Sequence, residues 1–306
     1  MLEKGIDMQK SKRSGFAANL MFFFTALIWG FAFVAQRQGA DYLAPFAFNG
    51  IRYILGSAAL VPVLLVFERQ GTPWRDKRLL LASLAAGFVL YAASALQQAG
   101  VMLTGDAGKS GFITGLYTVL VPILCALFFR MKTTPNIWIG AVLATVGLYL
   151  ISVTGGLSSV SLGDVLLFIG AFFWAGHIIV IDRMGGAISS LRFACLQFLV
   201  CGILSMVTAL IFEELILMEN VRGAAIPLAY CSLMSTGLAY TLQIIGQKFA
   251  SNPALAAIIF SLESVFAALG GMLLLHERMH LQGYIGCLLI FAGILVSQWV
   301  PKKTHT

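Results

Sequence analysis

The chain has 306 residues, of which 59% are hydrophobic and 11% are charged, and its mean hydropathy is strongly positive. That balance excludes an ordinary soluble domain and points to a chain that lives in lipid. The net charge of +7 reads as a basic face that meets anionic lipid, and not as a nucleic-acid surface, because the cations collect between apolar runs.

A helix of about 20 predominantly apolar residues crosses the hydrocarbon layer, and such runs are predicted at 15–36, 43–67, 79–100, 107–129, 135–153, 162–181, 190–212, 223–247, 252–275 and 281–300. The expectation is an all-α membrane protein of ten transmembrane helices. Residues 1–14 and 301–306 are read as tails, and the longest gaps, near 68–78 and 213–222, are too short to fold as a soluble domain. The first run follows Lys4, Lys10, Lys12 and Arg13 like a secretory signal, but it is too long and no small-residue cleavage site follows it, so it is expected to be retained.

The second run, "APFAFNGIRYILGSAALVPVLLVF", carries Arg52 nine residues in, about 14 Å deep at 1.5 Å per residue and close to the midplane. The third offers a stripe of Tyr91, Ser94 and Gln98, with Gln97 beside it, and the fourth offers Ser110, Thr114 and Tyr117. Gly111 and Gly115 form a GxxxG that suits close helix approach, and Pro122 is expected to kink the same helix. The fifth and tenth runs are apolar through their middles, as lipid-facing scaffold helices would be.

In the sixth run, Trp174 is followed by His177, which reads as a hydrogen-bonded core histidine rather than a proton relay. The eighth presents Thr236, Tyr240, Gln243 and Gln247 at helical spacing, and the ninth buries Glu263 at a depth similar to that of Arg52. These stripes either glue helices together or face a water-filled cavity. Trp29, Arg52, Tyr91, Gln97, Tyr117, Trp174, Tyr240 and Gln243 are the candidate substrate-binding residues.

Arg52 and Glu263 form the candidate coupling pair. Three readings of them stay open: a structural ion pair, Arg52 as anchor of a substrate carboxylate, and Glu263 as carrier of a coupling proton.

Two features argue about chemistry. Residues 276–280 read HERMH and satisfy HExxH, which sets two zinc ligands and a basic Glu on one helical face, so an intramembrane zinc metalloprotease is the alternative function. The stretch falls in the turn between the ninth and tenth runs, however, where no helix would aim both imidazoles at one metal. Cys125, Cys195, Cys201, Cys231 and Cys287 lie inside apolar runs without paired spacing, so neither a disulfide framework nor a zinc knuckle is expected. No cofactor, no metal and no enzymatic activity are expected.

A cytoplasmic N-terminus puts fifteen Lys and Arg residues inside, against Arg37, Lys109, Arg222 and Arg278 outside, and places both termini in the cytoplasm. The chain also repeats itself. At an offset of 145, Trp29, Phe48 and Glu68 meet Trp174, Phe193 and Glu213; at 146, Gln97, Gly140 and Gly147 meet Gln243, Gly286 and Gly293. Five runs per half is an odd number, so the second half would start from the opposite side of the membrane. Inverted repeats over 15–153 and 162–300 are therefore expected, an arrangement that underlies alternating access in secondary transporters.

The stretches "ALIWGFAFVAQ", "AGKSGFITGLYTVLVPIL", "IIFSLESVFAALGGMLLLHERM" and "YIGCLLIFAGILVS" resemble the paired repeats of the EamA-like family in the drug/metabolite transporter superfamily. The resemblance covers about 15–300. It implies ten helices, cytoplasmic termini, a central cavity, and efflux of amino acids or other small metabolites. Where the family often has Pro after the mid-helix Glu of the ninth run, this chain has Ser264, so a proline kink there is not expected. The combined expectation is a secondary transporter of the inner (plasma) membrane exporting a small zwitterionic or anionic metabolite, with protons as the candidate coupling ion.

Overall fold

A computed structural model describes residues 2–131, 133–152, 161–186, 188–214, 216–250, 252–276 and 281–298. The predicted tail at 301–306, the junction at 153–160 and the last four residues of HERMH lie outside them. Among the described residues the regular structure is all helix, with no strand.

In order, the helices are α1 (Leu2–Gly39), α2 (Pro45–Phe67), α3 (Lys77–Thr104), α4 (Ala107–Gly115), α5 (Tyr117–Phe129), α6 (Pro135–Ser152), α7 (Leu162–Met184) and α8 (Ser190–Phe212). There follow α9 (Met218–Gly223), α10 (Ala225–Ala229), a π-helical segment (Tyr230–Ala239), α11 (Tyr240–Phe249), α12 (Pro253–Phe260), α13 (Leu262–Leu274) and α14 (Leu281–Gln298).

Eight stretches are long and apolar enough to cross a bilayer. The predicted fifth and tenth spans appear as the shorter apolar helices Pro135–Leu150 and Leu281–Ser297, with the residues after each lying outside the described set. Helix starts follow from side chains that accept otherwise unpaired N–H groups. Asp76 caps α3, Asp106 caps α4, and Ser161 with Asp164 forms a reciprocal capping box on α7. Gly105 ends α3 at φ 68, a left-handed conformation that glycine adopts without strain.

Two predicted spans are broken in mid-membrane, and neither break is at a proline. The fourth span turns at Leu116, between α4 and α5, whereas Pro122, expected to kink it, sits inside α5. The ninth turns at Ser261, between α12 and α13, and Ser264 stands where a kinking proline was not expected. At both places the ladder tightens to shorter bonds, Leu116 N to Ile113 O and Ser264 N to Ser261 O.

The packing is symmetric under exchange of the halves. The neighbours α1 with α13 and α7 with α5 correspond, as do α3 with α7 and α1 with α11, and α2 with the π segment and α3 with α8.

Two contacts join repeat-equivalent helices directly. In the first, α2 meets α8: Gly50 lies against Met206, Gly202 against Ile54, and Ser57 Oγ donates to Cys195 O at 2.9 Å. Residue numbers rise along α2 as they fall along α8, so the pair is antiparallel. In the second, α6 meets α14 backbone to backbone, and a Cβ on Gly140 would lie 2.6 Å from Gly293 O and one on Gly147 2.5 Å from Gly286 O. That pair is antiparallel too, and only glycine allows its approach.

The ends of α2 and α8 are tied reciprocally. Glu213, just past α8, accepts from Phe46 N (2.7 Å) and Ala47 N (2.8 Å) at the start of α2; Glu68, just past α2, accepts from Leu191 N (3.2 Å) and Arg192 N (3.3 Å) at the start of α8. Each carboxylate satisfies two orphan donors of the other half. The Glu68 end holds further bonds: Arg192 donates to Glu68 O, Arg69 O, Gly71 O and Thr72 O, and Ser189 Oγ donates to Thr72 Oγ1 at 3.1 Å. The repeat partner of Arg192 is Ala47, so the opposite end has no equivalent clasp.

Candidate functional site

A cavity lies between the halves. Its first-half walls come from the last third of α1, the start of α2, the last third of α3 and the α4–α5 break, on the side away from the Arg192 clasp, and its second-half walls from the later part of α7, the π segment with α11, and the α12–α13 break.

Helix α1 turns Trp29, Ala32, Phe33 and Gln36 onto this space at helical spacing. Trp29 and Trp174 flank Tyr240, with ring centroids 4.7 Å and 6.2 Å from it. The Trp29 Nε1 donates to Ser235 O at 3.4 Å, while the Trp174 Nε1 has no partner. The π segment ends at Ala239, so its wider turn delivers Ser235 and Tyr240 to the wall.

Arg52 is 2% exposed. Its Nη2 donates to Tyr53 Oη at 3.3 Å, its guanidinium lies 4.6 Å from the Tyr53 ring and 5.8 Å from the Phe48 ring, and its Nε has no hydrogen bond. Tyr53 Oη also meets Ser94 Oγ at 2.7 Å and Tyr240 Oη at 3.2 Å, so hydroxyls tie the arginine to both halves.

Glu263, 3% exposed, enters from the α12–α13 break beside the Tyr117 hydroxyl, and its Oε1 is buried with no hydrogen-bond partner. Among the described residues the ion pairs are Arg37 with Asp41 and Lys109 with Asp164; Arg52 and Glu263 share the cavity without pairing. Thr114 Oγ1 and both amide atoms of Gln243 are likewise buried, unpartnered and on the wall.

Of the sequence candidates, Trp29, Arg52, Gln97, Tyr117, Trp174, Tyr240, Gln243 and Glu263 line this one cavity. Tyr91 does not: its hydroxyl meets Thr208 Oγ1 at 2.8 Å and its ring packs near Phe46. The polar stripes divide in the same way. Gln247 donates to Ile178 O, Gln98 to Gln36 O, and Ser110 to Asp106 O, all of which are bonds between or within helices.

Sequence reasoning missed Gln36, which accepts from Gln97 Nε2 at 3.0 Å, and Ser235. Gln36 lies one step past the Trp29–Phe33 face and carried a readable signal, whereas nothing local announces the π segment. His177 is fully buried and hydrogen-bonded to Gln197 Oε1 at 3.0 Å, touching the Trp174 and Tyr240 rings without lining the cavity. All five cysteines are free. Among the described residues no cluster of His, Cys, Asp and Glu is arranged to hold a metal. His276 follows α13 with φ 57, outside helical conformation, and Glu277 to His280 lie beyond the described residues.

The sequence model of the EamA-like transporter family matches residues 16–153 and again 161–299. An uncharacterized transporter of Archaeoglobus fulgidus is 28% identical over 91% of this chain and 85% of its own. The uncharacterized inner membrane transporter YedA of Escherichia coli is 24% identical over 89% of this chain and 87% of its own. A crystal structure that covers 92% of this chain and 96% of its own superposes with a TM-score of 0.74 at 17% identity, which establishes likeness of fold. The two matches of the family model, covering most of the sequence, place this membrane-spanning chain in the EamA-like transporter family.

Proposed function

We propose that the protein is a secondary active transporter that exports a small zwitterionic metabolite, of the size and chemistry of an amino acid, by alternating access. The observation that carries this reading is the pairing of charges without contact: a buried guanidinium and a buried carboxylate face one cavity and leave each other unpaired. A charge near the midplane costs about 2.5–3.5 kcal/mol on insertion scales. A ligand with a carboxylate for Arg52 and an ammonium for Glu263 would offset both, with Trp29, Tyr240 and Trp174 enclosing its apolar part.

The reading also holds that ten helices form two inverted repeats over 15–153 and 162–300, with both termini in the cytoplasm of the inner membrane. Antiparallel packing of α2 on α8 and of α6 on α14 supports the inversion, because repeat-equivalent helices must then run opposite ways. The excess of Lys and Arg on one side supports the orientation. With that orientation the first-half walls of the cavity lie toward the outer face, and Glu263 is the candidate carrier of a coupling proton.

The test is uptake of radiolabelled amino acids, organic acids and amines into liposomes carrying the purified protein, with and without a proton gradient. Transport confined to compounds bearing both an ammonium and a carboxylate is expected. Transport of amines alone, or of none of the three classes, would overturn the proposal.

A further inference from the structure

The cavity is asymmetric about the repeat. Eight of its wall residues are repeat partners of one another, Trp29 with Trp174, Phe33 with Ile178, Gln97 with Gln243 and Tyr117 with Glu263, so they sit about the pseudo-axis and both halves present them. Ser235 and Tyr240 line it from the second half alone; of four further wall residues of the first half, Thr114 is matched by Phe260, and the other three, Ala32, Gln36 and Arg52, have partners in the second half that lie off this wall: His177, Ile181 and Gln197. These three are 0%, 2% and 0% exposed. They lie in the half whose α7–α8 connection carries the Arg192 clasp.

The hydrogen bond from His177 to Gln197 at 3.0 Å therefore occupies the place where the first half has Ala32 beside Arg52. Polar atoms are left over there: His177 Nδ1 and Gln197 Nε2 are buried without partners, an expensive arrangement for a group that stays buried in every state.

We infer that the His177–Gln197 pair is a second substrate station, lining the cavity when it opens toward the Arg192-clasped end. The inference rests on the alternating-access reading above, because the two halves must exchange conformations for His177 and Gln197 to take the places that Ala32 and Arg52 hold now. The station takes the polar end of the same small metabolite through an imidazole and an amide, with no guanidinium. A carboxylate held by Arg52 in this state is held by weaker hydrogen bonds in the other, and a ligand biases a two-state equilibrium toward the state that grips it better. Bound carboxylate thus favours the state described here, and the second station is where it is loosely held.

The experiment traps this state with a disulfide between Thr72→Cys and Ser189→Cys, whose hydroxyls are now 3.1 Å apart, in a full-length variant with the five native cysteines replaced. Reporters Ala32→Cys, His177→Cys, Gln197→Cys and Ile181→Cys are introduced singly. Reaction with N-ethylmaleimide in liposomes is read by mass spectrometry of the labelled peptide, with the lock oxidised or reduced.

Ala32→Cys should react in the locked protein. His177→Cys and Gln197→Cys should react at least tenfold faster once the lock is reduced, and either suffices if the other variant fails to fold. If Ile181→Cys becomes reactive on unlocking while neither station residue does, the station is overturned and alternating access stands. If no reporter responds to the lock, both fall. Equal reaction of His177→Cys in the locked and unlocked protein also overturns the station, because it would then belong to the cavity already open.

Discussion

Around Arg52 the nearest polar company is the Tyr53 hydroxyl, and no carboxylate lies within ion-pair distance. Replacing one member of a buried ion pair strands the other and costs about 3–5 kcal/mol; replacing an unpaired cation strands nothing. Arg52→Met should therefore keep or raise the thermal midpoint in detergent while abolishing transport. Arg52→Lys should restore little, since an ammonium lacks the planar fork that grips a carboxylate. A fall in midpoint that Glu263→Gln reverses would instead reveal a pair that forms in another state.

Tyr91 and Gln243 make a matched contrast. Tyr91→Phe removes one hydrogen bond to Thr208, worth about 1 kcal/mol, and should leave the KM for transport within about twofold. Gln243→Ala removes two unpartnered wall atoms and should raise KM about tenfold or more, the loss expected when a ligand gives up a well-placed polar contact. The two residues look alike in the sequence, each a long polar side chain on a helical stripe. What separates them is whether a neighbour satisfies the group, and Thr208 is 117 positions from Tyr91. Trp29, Trp174, Gln97 and Gln243 were legible for a different reason: the repeat offset pairs them, and paired residues near a pseudo-axis face each other.

Among the elements, the breaks at Leu116 and Ser261 were not readable, because the cue trusted for bends was proline. Pro122 is accommodated inside α5, and the turn at Ser261 has no proline at all. Both breaks lie where the two halves cross, and both bring wall residues, Thr114 and Tyr117 on one side and Glu263 on the other, to the same depth. The π segment was equally silent, since its counterpart in α3 is an ordinary helix. The spans themselves were legible because burial in lipid leaves little but length and apolarity to specify.

The reciprocal ties of α2 and α8 give a prediction at this scale. Glu213→Ala removes the acceptor for two helix-start N–H groups, a loss of about 1–2 kcal/mol, and should lower the midpoint by a few degrees. Glu68→Ala should cost a similar amount, and because its contacts and those of Glu213 lie at opposite ends of the bundle, the double variant should lose about the sum of the two. A markedly smaller loss in the double variant would show that the ties do not act independently.

For the molecule as a whole, single-cysteine labelling should find both termini and the 68–78 loop on the cytoplasmic side, because fifteen of the nineteen cations other than Arg52 fall there. A C-terminus on the outer side would break the inverted arrangement.

The Glu68 and Glu213 contacts have a consequence for how the molecule is put together. Each half carries one carboxylate that it cannot use itself and one helix start that it cannot finish, and the two needs are met only by a neighbour lying head to tail. As α2 enters the bilayer, its first donors wait for a glutamate that the ribosome adds only after 166 further positions from Ala47. The first half thus stays unfinished until the second arrives. Assembly is cooperative by construction, and a chain cut between the halves leaves the start of α2 without its acceptor.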